Sequence, residues 1–242
     1  MKKSNTDILF SSIGFGFPES MEEKTSFELI YTNFEFKSDV NILDPQKILE
    51  RKNTAKIKVT NVDYHKRTVL AAEIVYELKE EWTLGHLKLQ KLLYLCQNVA
   101  NMSIHANFSK QALGPYDPRL MRSLDKKFKE NKWFEFDKDG KPKYKTLEKA
   151  GEHKEWYERY YQNYISQVGF LINTFRKTNT NDIELIATVH ACWSELLKNG
   201  EEISEKAIVE KVYSWSVEKQ KFTVKSITDA TTRIKELGIN PQ

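Results

Sequence analysis

Lys88-Leu89-Gln90-Lys91-Leu92-Leu93-Tyr94-Leu95-Cys96, Gly114-Pro115-Tyr116-Asp117-Pro118 and Trp133-Phe134-Glu135-Phe136-Asp137-Lys138-Asp139-Gly140 are three pieces of one stretch, residues 88–151. In the first piece and its continuation, Leu89, Leu92, Leu93, Cys96, Val99 and Ala100 recur at helical spacing. Lys88 and Lys91 fall opposite those leucines, so they are expected to face water. In the second piece Asp117 suits an N-cap and Pro118 a first helical position. A helix over 118–131 then turns Leu120, Met121, Leu124 and Phe128 inward and Arg119, Arg122, Lys126 and Lys129 outward. Residues 133–136 and 143–146 flank Asp137-Lys138-Asp139-Gly140-Lys141-Pro142, a hairpin in which Gly140 is expected to supply a positive φ. A helix, a basic helix and a lysine-tipped hairpin in that order predict a winged helix-turn-helix, a module that commonly grips nucleic acid.

Working outward, residues 63–79 carry Leu70, Ile74, Val75 and Leu78 at helical spacing, with Asp63 as the expected cap. The second helix is expected over 86–101. Downstream, Trp156, Tyr160, Tyr164, Val168, Leu171 and Phe175 predict one long helix over 152–176 whose aromatic side packs against the core. The polar run Lys177-Thr178-Asn179-Thr180-Asn181 is the expected boundary. Beyond it come helices over 182–198, closed by Gly200; 204–213, capped by Ser204; and 223–237, capped by Thr223 and closed by Gly238. The last of these is expected to expose Lys225, Thr228, Thr231, Thr232, Arg233 and Lys235.

The expected architecture is therefore mainly α. It has an amino-terminal arm (1–60), a winged-helix-like domain (61–177) and a carboxyl-terminal trihelical domain (182–242). In the arm, Gly14-Phe15-Gly16-Phe17-Pro18 suggests a loop, 27–36 a strand or two, and Asp44-Pro45 the start of a short helix over 46–51.

Charge is informative through its distribution. The formal net charge is +4 with 30% of residues charged, yet residues 119–145 hold ten Lys or Arg against five Asp or Glu. A concentrated positive segment suits phosphate contact. Arg119, Arg122, Lys126 and Lys129 on the helix, with Lys138, Lys141 and Lys143 on the wing, are the candidate DNA-binding residues. Cys96 and Cys192 both fall on apolar helix faces, consistent with free thiols in a reducing compartment. The first residues lack the apolar core of a signal peptide, and no run approaches the ~20 apolar residues of a membrane span. A cytoplasmic protein without membrane contact is expected.

Strong enzymatic signatures are missing: there is no P-loop, paired-cysteine zinc pattern, His-Glu-x-x-His or nucleophile elbow. Gly14-Phe15-Gly16 lacks the strand and helix that would make it a dinucleotide loop. Asp63 with Glu77-Leu78-Lys79 imitates the acids and lysine of a metal-dependent nuclease, but both acids sit in a helical pattern. His65, His86, His105, His153 and His190 are scattered, although His86 and His105 flank one helix. The expectation is no catalysis, no metal and no cofactor.

Gly85-His86-Leu87-Lys88-Leu89-Gln90-Lys91-Leu92-Leu93-Tyr94-Leu95, then Gly114-Pro115-Tyr116-Asp117 and Lys132-Trp133-Phe134, resemble a helical region at the carboxyl end of some bacterial type I restriction-modification specificity subunits. Glu184-Leu185-Ile186-Ala187-Thr188-Val189-His190-Ala191-Cys192-Trp193, continuing to Trp215 and Phe222, is similar to the segment that follows it there. The likeness covers roughly residues 64–239. Lys-Leu-Gln-Lys-Leu-Leu-Tyr with the later Gly-Pro is also similar to Panacea domains, which include toxin-neutralising antitoxins. The first likeness implies double-stranded DNA or restriction-modification subunits as partners. The second implies a toxin. The chain lacks room for two target-recognition domains, so reading a bipartite site alone is not expected of it.

Overall fold

The computed structural model describes residues 59–242, so the features expected at Gly14–Pro18, 27–36 and 44–51 lie outside the described residues. The described part is mainly helical. In chain order it runs α1 (Asn61–Leu78), α2 (His86–Asn98), β1 (Ser109–Gln111), β2 (Gly114–Tyr116), α3 (Pro118–Glu130), β3 (Phe134–Phe136), β4 (Tyr144–Thr146), α4 (His153–Tyr161) and a 3-10 turn (Gln162–Tyr164). There follow α5 (Ile165–Phe175), α6 (Thr180–Lys198), α7 (Glu205–Tyr213), a second 3-10 turn (Val217–Lys221) and α8 (Val224–Glu236). Among these no helix is long and apolar enough to cross a membrane.

The cap of α1 lies three residues before the expected one. Thr60 is the N-cap: its Oγ1 accepts from the Asp63 amide at 3.2 Å, while Asp63 Oδ2 accepts from the Thr60 amide at 2.9 Å. Asp63 therefore closes a capping box from the N3 position. Helix α3 follows the sequence closely. Asp117 Oδ1 accepts from Arg119 N (2.9 Å) and Leu120 N (3.1 Å), Pro118 opens the helix, and Leu120, Met121, Leu124 and Phe128 are its buried residues.

Helix α2 corrects the sequence. Lys88 and Lys91 do not face water; both are 0% exposed, and every residue from Lys88 to Cys96 is buried. The helix packs against α1, α5, α6 and β2, so it has little outer face to offer. Two short antiparallel hairpins complete the fold. β1–β2 pairs Lys110 with Pro115, a hairpin not expected from the sequence. β3–β4 pairs Phe134 with Thr146 and Phe136 with Tyr144 where a hairpin was expected. Gly140 is not left-handed there, contrary to expectation. Glycine is required for space instead, since a Cβ would lie 2.8 Å from the Pro142 carbonyl oxygen.

The expected long aromatic helix is two helices. The 3-10 turn at Gln162–Tyr164 resets the phase, so Tyr157 and Tyr161 face inward in α4, and Val168, Leu171, Ile172 and Phe175 in α5. Trp156, expected inside, is 39% exposed and packs edge-on against His65 at 5.2 Å. The polar run is a short connection that continues into the first turn of α6, and helices on both of its sides contribute to one hydrophobic core. Asn179 caps α6, Ser204 caps α7 and Thr223 caps α8, with Gly200 and Gly238 at positive φ after α6 and α8. Thr231 is buried, not exposed as expected, and its hydroxyl donates to the Ile227 carbonyl at 2.9 Å.

Candidate nucleic-acid interface

At about 100° per residue, Arg119, Arg122, Lys126 and Lys129 fall within about 80° of one another on α3, on the side opposite the buried Leu120, Met121, Leu124 and Phe128. All four are exposed. The hairpin adjoins this stripe: Lys129 Nζ lies 2.7 Å from Glu135 in β3, and Asp125 holds the His86 imidazole at 3.1 Å. That imidazole stacks on Phe136 with 3.5 Å between ring centroids. A chain of contacts thus fixes α3, the start of α2 and the hairpin to one another.

Ion pairing divides the basic set. Lys126 and Lys127 share Glu130, Lys129 meets Glu135, Lys132 meets Glu148 and Lys145 meets Asp137. Among the described residues, Arg119, Arg122, Lys138, Lys141 and Lys143 have no acid within ion-pair distance and are all exposed. Among the described residues these five carry the unpaired positive charge of the set. Lys141 and Lys143 turn toward the segment before α2, where Gly85, His86, Trp82 and Phe136 join them around a cleft of about 780 Å³. Trp82, which the sequence did not single out, is 80% exposed at its edge. Its one signal was an aromatic residue inside the polar link between two helices.

The motif that carries the family resemblance holds the scaffold. Lys88 Nζ donates to Thr83 Oγ1 (2.7 Å) and to the carbonyls of Arg176 (2.6 Å) and Thr178 (3.0 Å). The Gln90 side chain donates to the Asp117 carbonyl at 2.7 Å and accepts from its amide at 3.3 Å. Lys91 Nζ donates to the Pro115 carbonyl at 2.7 Å. Beside it, Lys219, 0% exposed, donates to Glu184 Oε1 at 2.6 Å, and Lys221 donates to Oε2 at 3.0 Å. Two polar residues of α2 thus fasten the turn that begins the basic helix, and Lys88 fastens the end of α5.

Burial holds Lys91 down to about 7, with Lys219 adding repulsion, and Lys88 down to about 8. Their unfolded value is 10.5, so the unfolded chain binds more protons between the folded and unfolded values. Below pH 7 both states are charged and the fold bears the whole desolvation cost; raising the pH relieves it. The thermal midpoint should therefore climb from pH 7 to 9. Above that the thiols of Cys96 and Cys192, pushed up to about 12 by burial, favour the unfolded chain as they ionise there first. Calorimetry on Lys91→Met should show a smaller climb; an undiminished one would refute the assignment.

The nuclease-like pairing does not form. Asp63 and Glu77 lie at opposite ends of α1, about 21 Å apart along its axis. Asp63 is engaged by Thr60, and Glu77 by Lys154 at 3.3 Å. Four of the five histidines take separate partners: His65 with Tyr160, His86 with Asp125, His153 with Glu73, and His190 with Tyr94. Burial holds the His190 imidazole down to about 4. Among the described residues no group of three or more His, Cys, Asp or Glu side chains is placed to hold a metal ion. No protein-family model matches the chain, and comparison with curated proteins finds no match.

Proposed function

We propose that this chain is a non-catalytic DNA-binding protein of a type I restriction-modification, specificity-subunit-like or related defence system. In this reading α1, α2 and α3 form a winged helix-turn-helix with β3–β4 as its wing. The α3 stripe and the wing tip contact phosphates of duplex DNA, and such contacts position a protein without specifying sequence. The supporting observation is the exposed row Arg119, Arg122, Lys126 and Lys129 on the side of α3 away from the core, with both arginines unpaired among the described residues. Replacing Arg122, Lys126 and Lys141 together by Glu should remove duplex binding in a mobility-shift assay while leaving the circular dichroism unchanged. A folded triple variant that still binds would reject the proposed surface.

A protein partner is the second reading, as a Panacea-like antitoxin or an adaptor that docks a toxin or other subunits. The internal pairing of Lys126, Lys127, Lys129, Lys132 and Lys145 favours it, because neutralised side chains weaken the field presented to a polyanion. A stoichiometric protein captured from the native host without nucleic acid would select it.

A further inference from the structure

We propose that the cleft between residues 80–88 and the hairpin tip receives an unpaired nucleic-acid base, stacked on Trp82, with its flanking phosphates on Lys141 and Lys143. This rests on the nucleic-acid reading above and extends it from duplex backbone to an unpaired nucleotide.

The cleft is walled largely by apolar groups, Trp82, Leu87, Phe136 and Pro142, and its volume of about 780 Å³ can enclose a base and its sugar. Phe136 is already covered by the His86 ring, whereas the Trp82 indole is 80% exposed and has a face to offer. An indole this large left in water gains most from a flat partner, and stacking on a base is tolerant of sequence because every base has a π-face. One wall supplies cations. Lys141 and Lys143 are exposed and without an acid partner among the described residues, and the Lys143 side chain runs beside Gly85, where an added Cβ would come within 3.3 Å of its Cδ. Glu80 lines the cleft from the same segment as Trp82, and Lys88, also in the lining, is buried with its ammonium held by Thr83 and the carbonyls of Arg176 and Thr178. The exposed cations of the cleft thus come from the hairpin, and its exposed acid comes from the segment that carries Trp82. That polarity fits a nucleotide with its base inward and its phosphates toward the wing.

An unpaired strand joins a flat apolar group to a fixed negative charge at every step, which is the pairing that Trp82 and the two lysines require. A peptide would need both an apolar anchor and an acid placed to match. Charge complementarity thus favours the strand. Because Trp82 is on the surface and outside the α3 stripe, its replacement leaves the scaffold and the duplex contacts in place.

The test uses fluorescence anisotropy on the full chain with two labelled DNAs: a blunt duplex, and the same duplex with a short central bubble of unmatched thymines. The wild-type protein should bind the bubble about tenfold more tightly. Trp82→Ala should erase that ratio while leaving blunt-duplex affinity as it was, and Trp82→Phe should keep most of it. Equal affinity for the two DNAs in the wild type, or a ratio that survives Trp82→Ala, overturns the cleft assignment alone. Binding of neither DNA defeats the duplex reading and this one together. Trp82-dependent binding of a peptide of alternating glutamate and leucine, by a protein that ignores both DNAs, overturns it in favour of a protein partner.

Discussion

Glu184→Leu is expected to lower the unfolding free energy by about 3–5 kcal/mol, the usual result of removing one member of a buried ion pair. The Glu184 carboxylate is 1% exposed and receives Lys219 at 2.6 Å and Lys221 at 3.0 Å. Without it Lys219, 0% exposed, keeps a buried ammonium with no anion, whereas Lys221 is 39% exposed and can turn to water. Glu184→Leu combined with Lys219→Met should recover most of the loss, because a well-packed apolar pair can replace a buried ionic one. Separation alone does not set the effect. Lys225 and Asp229 are also 2.6 Å apart, but both are exposed, so Asp229→Ala should change stability little. Urea denaturation of the three variants checks this ordering, and a loss below about 1 kcal/mol for Glu184→Leu would show that the carboxylate is not needed to hold Lys219.

Gly114→Ala should cost about 3 kcal/mol through two separate effects, backbone strain and overpacking. Its φ of +89° lies in the region L side chains avoid, and a Cβ there would come within 2.6 Å of Thr188 Oγ1 and 3.3 Å of Lys91 Nζ. The hydroxyl has no easy retreat, since it donates to the Glu184 carbonyl at 2.7 Å. Thr188→Ala added to Gly114→Ala should therefore return the steric part and leave the backbone part. Gly200→Ala and Gly238→Ala isolate that backbone part: their φ values are +67° and +65° with nothing within 4 Å of an added Cβ, so each should cost only about 1–2 kcal/mol. If Gly114→Ala proves no worse than those two, the close fit between the Gly-Pro turn and α6 is wrong.

What could be read from the sequence follows from whether the deciding force is local. Caps are local, so Asp117, Ser204 and Thr223 were legible, as were Gly200 and Gly238 after their helices. The inward face of α3 was also legible, because that helix has one wet side and its apolar residues repeat cleanly. Lys88 and Lys91 were not. A lysine opposite a leucine face normally meets water, and only the packing of α5, α6 and β2 around α2 turns that face into interior. The amines are tolerated there because the carbonyls of Arg176, Thr178 and Pro115 accept their protons, partners up to 90 residues distant that no spacing rule reveals. The break at Gln162–Tyr164 was hidden for a similar reason: the aromatics continue at helical spacing, while the 3-10 turn changes which of them face the core. On the candidate surface, the helical row of cations was legible. Which cations are spent on neighbouring acids was not, since Glu135 and Glu148 reach Lys129 and Lys132 only through tertiary folding.

The proposal that α3 and the wing hold duplex phosphates is tested most directly by the dissociation constant of a blunt duplex measured across a series of salt concentrations. Seven phosphate contacts, four from α3 and three from the wing, predict that the logarithm of the association constant falls against the logarithm of salt with a slope of about −6. A flat dependence, or no binding in dilute buffer, would contradict it.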